Sequence, residues 1–148
     1  MQTAIFDCEL TTTQVQRLAG VACYRTLDHW VRTGLLPVTK PAQGTGRRRG
    51  WSFADLIRAR TVAKLRAGGA SLQAIRKAVA LVTERLGETD PLTAGRLVVA
   101  GEKVFWALDD GALLEVLSGQ LAIAVLVLDV GSMARELLPE VVKLCAVA

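Results

Sequence analysis

The sequence predicts an α+β protein in two parts, a helical N-terminal domain with a β-hairpin and a small C-terminal β-β-α-β-α domain. Between Thr11 and Leu86 apolar residues recur at helical spacing in four segments, each opened by a capping residue or closed by glycine. Past Pro91 the pattern changes to short β-type runs. The charge divides at the same place. Residues 1–88 hold 14 basic and 6 acidic side chains, a net of +8, whereas residues 89–148 hold 4 and 8, a net of −4. A basic half joined to an acidic half implies that only the first meets a polyanion. The expected domains are therefore 1–88 and 89–148, with the turn cluster Gly87 to Pro91 between them.

Composition narrows the class further. A chain of 148 residues, 51% of them hydrophobic, has enough apolar material for a packed core and no signature of disorder. Cys8, Cys23 and Cys145 are scattered and odd in number, which indicates neither a disulfide framework nor a zinc site, so buried free thiols and no metal are expected. The N-terminus lacks the basic flank and apolar run of a signal peptide, and the apolar stretch Leu121 to Val130 is about half the length a membrane span requires. A soluble cytoplasmic protein is expected, nucleoid-associated if it binds DNA.

Each element has a local cause. Residues 1–10 show no period and read as an extended lead-in. Thr11 and Gln14 make a capping box for a first helix, Val15, Leu18 and Ala19 share one face, and Gly20 ends it. The link Gly20-Val21-Ala22 permits only a tight corner into a second helix from Cys23 to Thr33, which gives a helix-turn-helix. On that helix Leu27, Trp30 and Val31 point inward, leaving Tyr24, Arg25, Asp28, His29 and Arg32 outward. Arg25 and Arg32 lie two turns apart on one side, a spacing suited to phosphates or base edges, with hydrogen bonds available from Tyr24 and His29. The alternative is a solvated charged face on a structural helix.

Pro37 stops the helix, and the segment from Val38 to Gly50 carries Arg47, Arg48 and Arg49 in a row. Short strands at Leu36 to Thr39 and Arg49 to Trp51 would make it a hairpin wing, whose guanidinium groups repel one another unless a phosphate backbone neutralises them. Ser52 and Asp55 form a second capping box for a helix from Phe53 to about Ala67, with Leu56, Ile57, Val62, Ala63 and Leu65 apolar. Ser71 caps a fourth helix to about Leu86, with Leu72, Ile75, Val79 and Val82 at helical spacing.

The segments TTTQVQRLAGVACYRTLDHWVRTGLLP and RGWSFADLIRARTVAKLRAGGASLQAIRKAV resemble the winged helix-turn-helix domain of the MerR family of bacterial regulators. The points of match are Arg25-Thr26-Leu27, Trp30, Gly34-Leu35-Leu36-Pro37, Trp51-Ser52-Phe53 with Asp55-Leu56, and Gly69 with Ser71, Leu72 and Ile75. The resemblance implies reading-helix contacts from Arg25, His29 and Arg32, wing contacts to phosphate from Arg47, Arg48 and Arg49, and a phosphate anchor at Ser71; Thr12, Thr13 and Tyr24 complete the expected set of DNA contacts. Two positions depart from the pattern. Asp28 stands where many relatives carry a basic residue, and Ala22 lacks the hydroxyl that often caps the reading helix. Nearly the whole chain, less closely past Asp90, is similar to two-domain MerR-like regulators of actinobacteria, which implies a C-terminal domain for dimerisation or effector binding.

In that second domain Arg96 to Ala100 and Lys103 to Leu108 read as strands of a hairpin turning at Gly101-Glu102. Asp109 or Asp110 can cap a short helix to Leu117. Leu121 to Leu128 is continuously apolar and reads as a central strand covered on both faces. Ser132 opens a last helix with Met133, Leu137, Val141 and Leu144 inward. Phe105 and Trp106 fall on opposite faces of their strand, one of them a candidate for lining a ligand pocket, the other reading being core or dimer interface.

The function expected is that of a homodimeric transcriptional regulator on double-stranded DNA, binding an inverted repeat, with contact to RNA polymerase and a small-molecule effector as further possible partners and no cofactor. The alternative is an antitoxin or recombination accessory factor whose C-terminal domain binds another protein through the edge of the Arg96 to Leu108 hairpin. No enzyme is expected: the single histidine sits on the outward face of the second helix, and no nucleophile, phosphate loop or carboxylate pair has supporting spacing.

Overall fold

The computed structural model describes residues 9–36, 50–86, 91–93, 95–100, 103–107 and 124–147. Their order is α1 (Thr12–Ala19), α2 (Tyr24–Arg32), α3 (Phe53–Ala67), α4 (Leu72–Leu86), a 3-10 turn (Pro91–Thr93), β1 (Arg96–Ala100), β2 (Lys103–Ala107), β3 (Ala124–Asp129) and α5 (Val130–Val147). The protein is α+β. Arg47, Arg48 and Arg49, the turn at Gly101-Glu102, and the helix expected from Asp109 to Leu117 lie outside the described residues. Among the described residues no helix is long and apolar enough to cross a membrane.

The chain forms two compact units, residues 1–60 with 134–148, and residues 61–133. These limits divide the chain differently from 1–88 and 89–148, because α4 packs on β2 and on the 3-10 turn and so belongs with the sheet.

In the first unit the helix caps are local chemistry. The Thr11 hydroxyl accepts the Gln14 N–H at 3.1 Å while the Gln14 side chain accepts the Thr11 N–H at 2.9 Å. Ser52 and Asp55 repeat the exchange at the start of α3, at 3.1 and 2.9 Å. Asp55 is almost fully buried and also takes the Arg58 guanidinium at 2.6 Å, so its charge is compensated where water cannot reach it. Trp51 is completely buried. Its backbone pairs with Leu10 as an isolated antiparallel bridge, at 2.7 and 3.0 Å, and its indole N–H donates to the Thr12 hydroxyl at 3.0 Å. Leu10 and the segment before α3 thus close on each other.

In the second unit Leu65, Ile75, Val82, Leu92 and Leu97 are buried, and the fully buried Thr61 hydroxyl donates to the Leu92 carbonyl at 2.9 Å. The hairpin forms in the register expected, Ala100 opposite Lys103 and Arg96 opposite Ala107. Strand order is β2-β1-β3, all antiparallel. The central strand among these three is β1, whose Val98 and Val99 are fully buried, whereas β3 flanks it and leaves Val127 44% exposed. The expectation that Leu121 to Leu128 is central is corrected by this. Unbroken apolarity marks a strand that can be covered but carries no information on its neighbours. Gly95 is required where β1 begins: it has φ +79°, and an added Cβ would come 2.7 Å from the Trp106 indole nitrogen.

Helix α5 starts two residues earlier than Ser132, because the Asp129 carboxylate accepts the Ser132 N–H at 3.1 Å and caps it from the end of β3. Met133, Leu137 and Val141 are buried as expected and Leu144 is half-buried. The thiols differ from expectation. Cys23 is free but exposed, being the residue just ahead of α2, and Cys145 is disulfide-bonded.

Candidate nucleic-acid interface

The site is built on α2, and α1 is what holds its entrance. Gly20 ends α1 in the left-handed conformation (φ 77°), its N–H directed to the Arg17 carbonyl, and the Val21 N–H bonds to the Gln16 carbonyl at 3.0 Å. The Gln16 amide then spans the corner to the Ala22 carbonyl at 3.3 Å. From α3, the Arg60 guanidinium donates to the Leu18 carbonyl at 2.9 Å, placing a positive charge at the negative end of the α1 dipole. The buried Val21 fills the corner. The chain has little freedom in how it enters α2.

Helix α2 itself begins without side-chain help. Its N-cap, Cys23, is extended (φ −145°, ψ 140°) and makes no capping hydrogen bond. What fixes the helix is its apolar side, since Leu27 is 0% and Trp30 4% exposed. At its far end the Thr33 hydroxyl donates to the His29 carbonyl at 2.8 Å, and the N–H groups of Leu35 and Leu36 converge on the Trp30 carbonyl at 3.0 and 3.2 Å. Gly34, at φ +82°, allows that turn, and the buried Leu35 and Leu36 anchor it.

With Leu27 and Trp30 inward, helix periodicity puts Tyr24, Asp28, Arg32, Arg25 and His29 within an arc of about 140° on the opposite side. Tyr24, Arg25, His29 and Arg32 are all exposed. Arg25 and Arg32 are about 20° apart around the helix and about 10.5 Å apart along it. The Arg25 side chain makes no ion pair or hydrogen bond among the described residues. Arg32 does: its Nε lies 2.8 Å from the Asp28 carboxylate, with three quarters of the Arg32 side chain in solvent. The face therefore presents one free guanidinium, one held by a neighbouring carboxylate, an imidazole and a phenol. Such groups hydrogen-bond to phosphates and base edges, and a helix of this width enters the major groove of B-form DNA.

The remaining expected positions are distributed as follows. Thr13 is exposed on α1, and the neighbouring Thr12 hydroxyl is the acceptor for the Trp51 indole. Ser71 opens α4, its hydroxyl accepting the Ala74 N–H at 3.0 Å, and it belongs to the other compact unit. Arg47, Arg48 and Arg49 lie outside the described residues. Sequence reasoning missed Arg60 as the residue that ties α1, because nothing in a helical repeat marks a side chain aimed at a carbonyl 42 positions earlier.

Residues 10–81 match the model of the MerR HTH family of regulatory proteins. The matched segment comprises α1 to α3 and the first part of α4. Over 70 residues it is 40% identical to uncharacterized HTH-type transcriptional regulators of Mycobacterium bovis and of two strains of Mycobacterium tuberculosis. The matched stretch is 47% of this chain and 31% of each relative, so the chain spans about a third of the length of the curated proteins it matches.

Proposed function

We propose that the protein is a sequence-specific DNA-binding regulator of transcription. The observation that carries this reading is the composition of the outward face of α2: Tyr24, Arg25, His29 and Arg32 in one arc, with a single carboxylate, Asp28, among them, backed by Leu27 and Trp30, on a helix whose entry is fixed at Gly20 to Ala22. A merely solvated face requires no such control of the helix's entry. In this reading α2 enters the major groove. Arg25 and His29 reach base edges, Tyr24, Thr12 and Thr13 reach the backbone, and Arg32 contacts a phosphate or base at the far end. Arg47, Arg48 and Arg49 clamp flanking phosphates, and Ser71, at the N-terminus of α4, adds a further anchor.

The protein acts as a homodimer on an inverted repeat, paired through the region after residue 88, and residues 1–88 form the DNA-binding part. Distortion of the operator contributes to sequence preference and to the effect on RNA polymerase. No catalytic step is involved. Footprinting on genomic fragments tests the reading, with one protected palindrome as the expected result. Affinity for that fragment should fall steeply between 50 and 200 mM salt. A flat salt response, or no protected site, overturns it.

A further inference from the structure

Inside the 61–133 unit an open cleft of about 380 Å3 lies between α4 and β2. Its helical wall is Ala74, Lys77, Ala78 and Leu81, and its strand wall is Lys103, Val104 and Phe105. The core behind it is closed. There Val104 and Trp106 meet Ile75 and Val82 around a void of about 10 Å3, no more than a water could fill. Trp106 is half-buried on that side, and Phe105, which alternates with it along β2, lines the cleft together with Lys103.

Three properties of the cleft agree on one kind of occupant. Its volume falls in the range of small-molecule sites, about 300–1,000 Å3. Its walls are mostly carbon, and they include Leu81, which is 49% exposed. Its charged groups are Lys77 and Lys103, one on each wall, both exposed and neither in an ion pair or hydrogen bond among the described residues. Among the described residues no carboxylate lines it. A bare inorganic anion would leave the apolar walls wet, and a neutral or cationic hydrocarbon would leave the lysines without a partner.

We propose that this cleft binds a small amphipathic carboxylate, an aliphatic or aromatic body with a single negative charge. The body covers Leu81 and Phe105, and the carboxylate is held by the Lys77 and Lys103 ammonium groups, whose flexible stems also pack along it. One wall lies within the segment that matches the MerR family and the other lies beyond it, so the shared segment by itself does not make the site. The proposal holds whether or not the protein binds DNA.

The test is titration of the full 148-residue chain with decanoate, against decylammonium as the opposite-charge control, followed by calorimetry and backbone amide shifts. Saturable one-to-one binding of decanoate is expected, with shifts centred on Ala74, Ala78, Val104 and Phe105, and with decylammonium about tenfold weaker or more. Lys77→Ala with Lys103→Ala should weaken decanoate about tenfold at an unchanged melting temperature, as both side chains are exposed. Leu81→Asp, which places a carboxylate on the wall, should abolish binding. Equal binding of the two amphiphiles, full retention by the double lysine variant, shifts centred elsewhere, or no saturable binding each overturn the assignment.

Discussion

Helices α1 and α2 have nearly the same length, eight and nine residues, yet they are held in opposite ways. Helix α1 is fastened at every point where a short helix can fail. A reciprocal capping box starts it, a left-handed glycine ends it, Arg60 satisfies a terminal carbonyl, and Thr12 receives the Trp51 indole. Helix α2 has no side-chain cap at its start and rests on two buried side chains, while its polar groups face solvent. The difference separates scaffold from reader. Most polar groups of α1 are spent on holding it in place, which leaves a ligand only the exposed Thr13 and the donor side of the Thr12 hydroxyl, whereas most of those on α2 are available to one.

That division predicts that mutations in the scaffold change stability and mutations on the reader change binding. The largest effect belongs to Trp51→Ala. It empties a fully buried indole site, breaks the tie to Thr12, and should cost about 3–5 kcal/mol, a large share of the roughly 5–15 kcal/mol available to a domain. Chemical denaturation measures it. Trp51→Phe keeps most of the packing and should lose only about 1 kcal/mol, from the hydrogen bond. A Trp51→Ala protein as stable as wild type would remove the scaffold half of the comparison.

Arg25→Ala should do the reverse. The side chain is exposed and unpaired among the described residues, so the melting temperature should stay within a degree or two, while operator binding weakens by about 1–3 kcal/mol. Gel-shift titration on the footprinted fragment reads the second quantity. Unaltered operator affinity would mean that α2 is a solvated face after all. Next in size is Thr11→Ala, which removes one half of the α1 capping box and should cost about 1 kcal/mol, or about 2–4 °C in the melt. Its effect on operator affinity should be less than twofold, and a tenfold loss would show that α1 and α2 are not separable in this way.

How much of this was legible in the sequence follows from the range of each interaction. The caps at Thr11, Ser52 and Ser71 were readable because donor and acceptor lie three residues apart, and the stops at Gly20 and Gly34 because glycine supplies the left-handed turn cheaply. The β1–β2 register was readable from alternation and a two-residue gap. The Leu10–Trp51 bridge, the Arg60–Leu18 bond and the Thr61–Leu92 bond were not, since each joins residues 31 to 42 positions apart and leaves no period in the chain. Asp129 was missed as the cap of α5 because it also ends β3, paired with Arg96 across the sheet. The inward Leu27 and Trp30 and the exposed Tyr24, Arg25, His29 and Arg32 of α2 were legible, but Val31, expected inward, is only half-buried, and the state of the charges was not readable. Asp28 was visible as an anomaly and its pairing was not.

That pairing supplies the smallest and most discriminating prediction. Asp28 and Arg32 form an i, i+4 ion pair at 2.8 Å on the outward face of α2, and an exposed pair of this kind contributes at most about 0.2–1 kcal/mol to stability. Its larger consequence is on binding. A phosphate that approaches Arg32 must displace or tolerate the Asp28 carboxylate, so the pair discounts contact with any backbone while leaving Arg32 oriented along the helix. Asp28→Asn removes the negative charge and keeps the shape. Non-specific DNA affinity should rise about threefold, and the salt dependence should steepen by about one phosphate contact. Operator affinity should gain less, so that the ratio of specific to non-specific binding falls. Equal gains on both DNAs would reduce Asp28 to a general repulsion, and a loss on both would mean that Arg32 needs its partner in order to reach DNA at all.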